Sequence, residues 1–302
     1  MIINRAVPIR FIFHKIRTEI ILLTIFSTLI YFLKNILHLW EVSMPLTIPA
    51  ILGTAISLLL GFRTNQSYER WWEARKVWGG IVNDSRALLR LILTFTDAVN
   101  ADDEMKMVIR KIGLRQIGWC YSLGRALRGL EHISEVKKYI NEKELEEVIR
   151  HDNIPNALLI QHSRDINELY KKGKINKFQQ IEIEGIITRL CDYMGMSERI
   201  KNTVFPGTYS LFIHIFLYLF IFILPFGLID QFGLVEIPLV TAIGTAFFLI
   251  EKTAIQMQDP FENRPTDTSV TAISRTIEIN LRQMIKDSEV PEKIKPESFY
   301  IL

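Results

Sequence analysis

His214 lies inside an uncharged stretch that runs from Asn202 to Ile229. An ionisable side chain in so long an apolar run is a candidate relay for protons or ions; the alternative is a neutral imidazole hydrogen-bonded between helices. Glu251 and Lys252 close a further apolar run and read either as the lining of a pathway or as an interfacial pair. The acidic pairs Asp102–Asp103 and Glu146–Glu147 sit in charge-rich stretches, where a solvated helix face is a better reading than a general acid–base dyad. Cys120 and Cys191 cannot build a disulfide scaffold or a structural zinc site, and the six histidines show no H-x-x-x-H spacing. There is no G-x-S-x-G, no P-loop and no G-x-G-x-x-G. These residues argue against an enzyme, against a metal centre and against a bound cofactor.

The elements that hold these residues are apolar. Of 302 residues 49% are apolar and 23% charged, yet mean hydropathy is positive at +0.18, so the two kinds are segregated along the chain. The net charge of +3 offers no field for nucleic acid. Val42–Phe62 and Asn202–Ile229 carry no formal charge, and each as a helix spans the roughly 30 Å of bilayer hydrocarbon. The shorter runs Ile20–Leu33 and Ile237–Ile250 lie one short loop away from these two. The first reaches Trp40 if Lys34 snorkels, and the second continues to Met257. The expected architecture is two membrane hairpins, four spans in all, with a helical region between them. The basic head (Arg5, Arg10, Lys15, Arg17) is followed by no small-residue cleavage site, so the first span is read as retained.

Basic residues set the orientation. Arg63, Arg70, Arg75 and Lys76 follow span two, whereas the hairpin loops carry Lys34 and Glu41, and Asp230 and Glu236. Both termini and the middle are therefore expected on the cytoplasmic side of a plasma membrane. The division expected is 1–62 for the head and spans one and two, 63–201 for the cytoplasmic region, 202–257 for spans three and four, and 258–302 for a cytoplasmic helix and tail. Within the middle, Asn100–Glu104 caps a helix through about Gly129, Pro155 opens another that stops at Gly173, and a third runs from about Asn176 to Arg199. Thr266–Lys286 has helical apolar spacing at Val270, Ile273, Ile277, Leu281 and Ile285.

Span two carries two stripes. Gly53, Ser57 and Gly61 recur every fourth residue and would let another helix approach closely. Thr54, Leu58, Phe62 and Gln66 form a neighbouring stripe at the same period. Two arrangements fit: a ring of identical helices around an axis, or an ordinary buried span in a four-helix bundle. Four spans are too few to enclose a wet pore in one chain, so a conducting protein must be an oligomer, expected to be closed and cyclic.

Leu60-Gly-Phe-Arg-Thr-Asn-Gln-Ser-Tyr-Glu-Arg-Trp-Trp-Glu-Ala-Arg-Lys-Val-Trp-Gly79 resembles the signature that follows the pore helix in the bestrophin family, especially its prokaryotic branch. Met257-Gln-Asp-Pro-Phe261 is similar to that family's Asn/Asp-Pro-Phe element, and the likeness covers about Pro8 to Met284. It implies an all-α membrane channel, homopentameric around one pore, passing inorganic ions across the lipid bilayer. By register the hydrophobic neck would be Thr54, Leu58 and Phe62, with a second, cytoplasmic constriction at Phe178. Thr54 puts a hydroxyl where the family usually has a large apolar side chain. Animal members clasp calcium with an acidic run; here Glu262-Asn-Arg-Pro-Thr-Asp267 has two carboxylates with an arginine between them, so calcium binding is not expected.

The family sets chloride as the expected ion. A monovalent cation channel, and a membrane-anchored scaffold or transporter, stand as alternatives. Glu69 and Glu73 at the pore mouth would favour cations, and Arg63 and Arg70 anions; helical spacing alone does not say which pair faces the axis.

Overall fold

A computed structural model describes residues 7–35, 44–203, 206–296 and 298–302. Arg5 of the basic head, and Trp40 and Glu41 of the first hairpin loop, lie outside the described residues. Those described form helices and turns, with no β-strand among them. In chain order the helices are α1 (Ile9–Asn35), α2 (Thr47–Phe95), α3 (Asp103–Ala126), α4 (Ile133–Val136), α5 (Glu142–Val148), α6 (Ile154–Lys171), α7 (Lys177–Asn202), α8 (Gly207–Phe232), α9 (Glu236–Gln258) and α10 (Val270–Met284). They fall into two compact units.

The first unit is built from the described residues of 7–71 and 206–258. Its helices alternate in direction, as the side-chain pairs show. Phe26 meets Phe222 and Lys34 meets Asp230, so α1 and α8 run parallel. Phe220 meets Phe247 and Tyr218 meets Phe248, so α8 and α9 run antiparallel. Thr24 bonds Thr241 and Ser27 bonds Glu236, which sets α9 antiparallel to α1. Gly53 on α2 packs on Phe220, and Gly227 on α8 packs on Pro49, which sets α2 antiparallel to α8. A Cβ on Gly227 would come 2.8 Å from the Pro49 ring, so this crossing needs glycine. A 3₁₀ turn at Gly233–Val235, with Gly233 at φ +54, folds α8 back onto α9.

Leu23, Ile56, Leu60, Leu217, Leu224 and Val240 form this unit's core. Its outer surface is equally apolar: Leu22, Ile25, Ile51, Leu211, Ile215 and Phe222 are exposed. An apolar exterior on apolar helices is what a bilayer solvates and water does not. Among the described residues three helical stretches are, by length and composition, able to cross a membrane: α1, α2 and the continuous Gly207–Gln258, which the 3₁₀ turn divides.

The second unit comprises the described residues of 72–203 and 259–302. Its hydrophobic core is built around Trp78, Ile81, Leu88, Trp119, Leu123, Leu158, Leu190, Phe261 and Ile277. Side chains cap its helices. Asp102 accepts from the Met105 amide at α3, Asn153 from Asn156 at α6, and Asn176 and Gln179 form a reciprocal capping box at α7. Gly173, at φ +70, ends α6 as the glycine and the preceding lysines led one to expect. Two short helices, α4 and α5, lie in 133–148, within the middle region read as helical, with residues 137–141 between them. The tail helix begins at Val270 rather than Thr266, because 259–269 is held as a turn by Thr268 N–H to Pro260 C=O and Asp267 N–H to Arg264 C=O.

Candidate functional site

The stripes of α2 have different fates. Gly53, Ile56, Leu60, Arg63 and Ser67 are buried and face the other helices of their own unit. Thr54, Leu58 and Phe62 are exposed, Leu58 at 63% and Phe62 at 65%, so they contact little within the chain. The Thr54 hydroxyl donates to the Ala50 carbonyl in its own helix. Of the small residues only Gly53 is used for packing inside the chain; a Cβ there would lie 3.0 Å from Phe220. Ser57 and Gly61 instead line an open apolar groove of about 710 Å³ with Phe247 and Ile250 of α9, and nothing approaches the Gly61 Cβ position within 4 Å.

The charges at the end of this stripe are also sorted. Arg63 is 2% exposed, its guanidinium 3.6 Å from Glu251 and 3.3 Å from the Ser210 hydroxyl. His214 Nδ1 lies 2.8 Å from the same Glu251 oxygen, so the histidine flagged from the sequence, itself half-exposed, joins the buried Arg63–Glu251 pair. Arg70 donates to the Gln258 carbonyl at 2.5 Å. Lys252 pairs with Glu19, not with Glu251, and donates to the Lys15 carbonyl. Glu69 is exposed and accepts from Asn65. Glu73 is paired with Arg199 at 2.5 Å. At 100° per residue, Glu69 and Glu73 stand within about 20° of Phe62 around the helix, and Arg63 and Arg70 about 80–100° away.

In the second unit Phe178 is the second residue of α7, 84% exposed, just beyond the Gly173 turn. The segment after Phe261 is organised around a residue that sequence reasoning missed. Lys201 donates to Asp259 at 2.7 Å and also to Glu262. Burial pushes the Asp259 carboxyl up, but its hydrogen bonds and the Lys201 charge outweigh this and hold it below the usual carboxylate range. Asp267, 1% exposed, accepts from the Arg264 amide and the Thr266 hydroxyl. An ammonium thus already sits against two of the three carboxylates, and these residues do not fit a calcium ion. Among the described residues no group of three or more His, Cys, Asp or Glu side chains is placed to hold a metal. Lys201 lies 58 residues from Asp259, and no local pattern announces the pair.

A second buried network was equally hidden. Arg115, fully buried, donates to Glu144 and lies 2.7 Å from Asp165 and 3.3 Å from His162 Nδ1. Lys111 adds a 2.9 Å bond to Asp165. A guanidinium only donates, so Nδ1 of His162 is the acceptor and its ring is neutral.

Residues 10–283 match the family model described as Bacterial/Fungal Bestrophin protein. The voltage-dependent anion channel-forming protein YneE of Escherichia coli O157:H7 is 29% identical over 293 residues, 96% of this chain and 93% of its own. A Nostoc protein, also named voltage-dependent anion channel-forming, is 30% identical over 255 residues, 84% and 80% of the two chains. The crystal structure of a bacterial bestrophin homolog from Klebsiella pneumoniae is similar with a TM-score of 0.84 at 25% identity, covering 90% of this chain and 99% of that one.

Proposed function

Because this chain belongs to the bacterial and fungal bestrophin family, we propose that it is a passive anion channel of the plasma membrane, acting as a homopentamer with a hydrophobic neck. The relatives' names support the anion preference. The observation that carries the pore is the α2 stripe: Leu58 and Phe62 are exposed in the isolated chain while the opposite side of the same helix is buried. A span buried on all sides would cover both; a lipid-facing side would leave them open like Ile51, and it is the family's register that assigns this stripe to the axis.

In this reading α1, α2, α8 and α9 are four spans, and residues 1–62 and 202–257 form the membrane part. Residues 63–201 and 258–302 are cytoplasmic, as are both termini. Thr54, Leu58 and Phe62 of five α2 helices ring the axis, with Leu58 and Phe62 about 6 Å apart along it. Such apolar rings resist wetting and raise the barrier to a hydrated ion. Ser57 and Gly61, open in the single chain, offer a neighbouring subunit a close approach. Phe178 narrows the cytoplasmic part. The chain has no enzymatic role and needs no cofactor or calcium.

One observation favours a second reading, a monovalent cation channel: Glu69 and Glu73 share the side of α2 that carries Phe62, while Arg63 and Arg70 turn into the protein. Reversal potentials of the reconstituted protein in asymmetric sodium chloride decide. A potential near the chloride equilibrium value is expected; one near the sodium value establishes the second reading. Silence under every ionic condition would instead favour a membrane-anchored scaffold, and flux coupled to a second solute a transporter.

A further inference from the structure

The second unit contains a partly open cavity of about 250 Å³ between the end of α3, the turn after α4 and the start of α10. Four cations line it, Arg125, Arg128, Lys138 and Arg275, against one carboxylate, Glu135. Three of the four have partners. Arg125 and Lys138 share Glu135, at 3.6 and 2.8 Å, and Arg275 pairs with Glu278 at 3.3 Å. Arg128 has none of this kind. Its Nη1 donates to the Thr271 hydroxyl at 3.1 Å, while Nε and Nη2 are buried without a hydrogen-bond acceptor. No carboxylate among the described residues lies within ion-pair distance of it. Burial depresses the pKa of Arg128 most; the Asp267 charge works against this, Arg125 adds to it, and Glu262 opposes it least.

The backbone adds to the same potential. Val270 and Thr271 on the cavity wall are the first two residues of the 15-residue α10, and Ser269 at its cap makes no side-chain bond. The Val270 N–H donates to the Thr268 carbonyl, but no side chain caps the remaining first-turn amides, so these and the positive end of the helix dipole are left for a ligand. Gly124 permits this arrangement: a Cβ there would lie 2.5 Å from Val270, so only glycine on α3 lets the start of α10 come so near. Arg128 is half-buried, and leaving its buried Nε and Nη2 without an acceptor is costly. With Glu135 and Glu278 counted against the four cations, two positive charges remain, more than a monovalent ion neutralises.

We propose that this cavity binds a compact polyanion of the di- or triphosphate class, held by Arg128, Arg125, Lys138 and Arg275 and by the first-turn amides of α10. Planar guanidinium forks suit phosphate oxygens, and several cations around one small volume suit a ligand of several charges. A bound ligand would tie the ends of α3 and α10 and the turn after α4 together.

The test is calorimetric titration of the purified full-length protein with inorganic pyrophosphate. Saturable binding is expected, and Arg128→Gln should weaken it at least tenfold. Lys138→Gln at the exposed rim should weaken it severalfold, and it keeps the test open if Arg128→Gln does not fold. Binding should weaken as sodium chloride is raised. Competition with a soluble inositol bisphosphate identifies the source of the phosphate: tighter binding than pyrophosphate assigns a lipid headgroup, weaker binding a free diphosphate. No binding of pyrophosphate at millimolar concentration, or binding that both variants retain within twofold, overturns the proposal.

Discussion

Leu58 and Phe62 are large apolar side chains left exposed on a helix whose other side is well packed. If they ring a pore, replacing both with Ala widens and wets the neck, and ion flux per folded oligomer should rise. Their exposure also means that truncation opens no cavity within the chain, so the unfolding midpoint should hold. A stripe buried in the bundle would behave otherwise, each truncation costing roughly 2–5 kcal/mol. Liposome flux normalised to the intact fraction by size-exclusion chromatography separates the two; unchanged flux in well-folded protein removes the stripe from the pore. Lys201 makes a different kind of prediction. Its ammonium serves Asp259 and Glu262, so flux should be the same in chelator and in millimolar calcium. Lys201→Met should leave two carboxylates facing each other and lower stability by about 1 kcal/mol, a figure kept small because the site is partly open to solvent. A strong calcium dependence of the unsubstituted protein would contradict this account of the segment.

At the scale of elements, the second unit depends on α3, α5 and α6 meeting around one charged network. Lys111 and Arg115 come from α3, Glu144 from α5, and His162 and Asp165 from α6. Burial, then the charges of Arg115 and Lys111, hold the His162 pKa well below the ordinary imidazole value. Unfolded, this histidine takes up a proton near pH 6.5; folded, it does so only at a much lower pH. The unfolded state then binds more protons, so stability should fall as the pH drops below about 6.5, by at most about 1.4 kcal/mol per pH unit for this one group. His162→Gln keeps an acceptor for Arg115 and removes the titration. Its unfolding midpoint should be less sensitive between pH 7.5 and 5.5 than that of the unsubstituted protein. Equal slopes would show that His162 is protonated alike in both states.

For the whole molecule the prediction is oligomeric. The first unit exposes apolar faces around α1, α2 and α8, and the groove beside Gly61 and Phe247 is unfilled in one chain. Lipid can cover some of this surface, but a conducting axis requires several copies of α2. Multi-angle light scattering in mild detergent should give the mass of five chains. A monomer, under conditions that keep other pentamers intact, would remove the pore. This prediction stands apart from selectivity, since a pentamer of either ion preference has the same mass.

Much of this protein was legible from local pattern. The apolar runs that became α1, α2, α8 and α9 were visible because hydrocarbon demands uninterrupted apolar helix. The caps at Asp102 and Asn176 and the stop at Gly173 were visible because helix ends have their own chemistry within a few residues. The two stripes of α2 followed from period alone, but period could not say which one its own chain would cover. Packing decided that, and it covered neither stripe whole: Gly53 lies on Phe220, Ser57 and Gly61 stay open like Leu58 and Phe62, and the buried face runs through Ile56, Leu60 and Arg63. The orientations of Arg63 and Arg70, the seat of Lys201 and the network around Arg115 were likewise invisible. Each joins residues far apart in sequence, 188 positions in the case of Arg70 and Gln258. A side chain three or four residues away on a helix is fixed by helix geometry. One that arrives from another element is fixed only by how the elements pack, and there the charge pattern of the sequence allowed several pairings while the tertiary structure chose one.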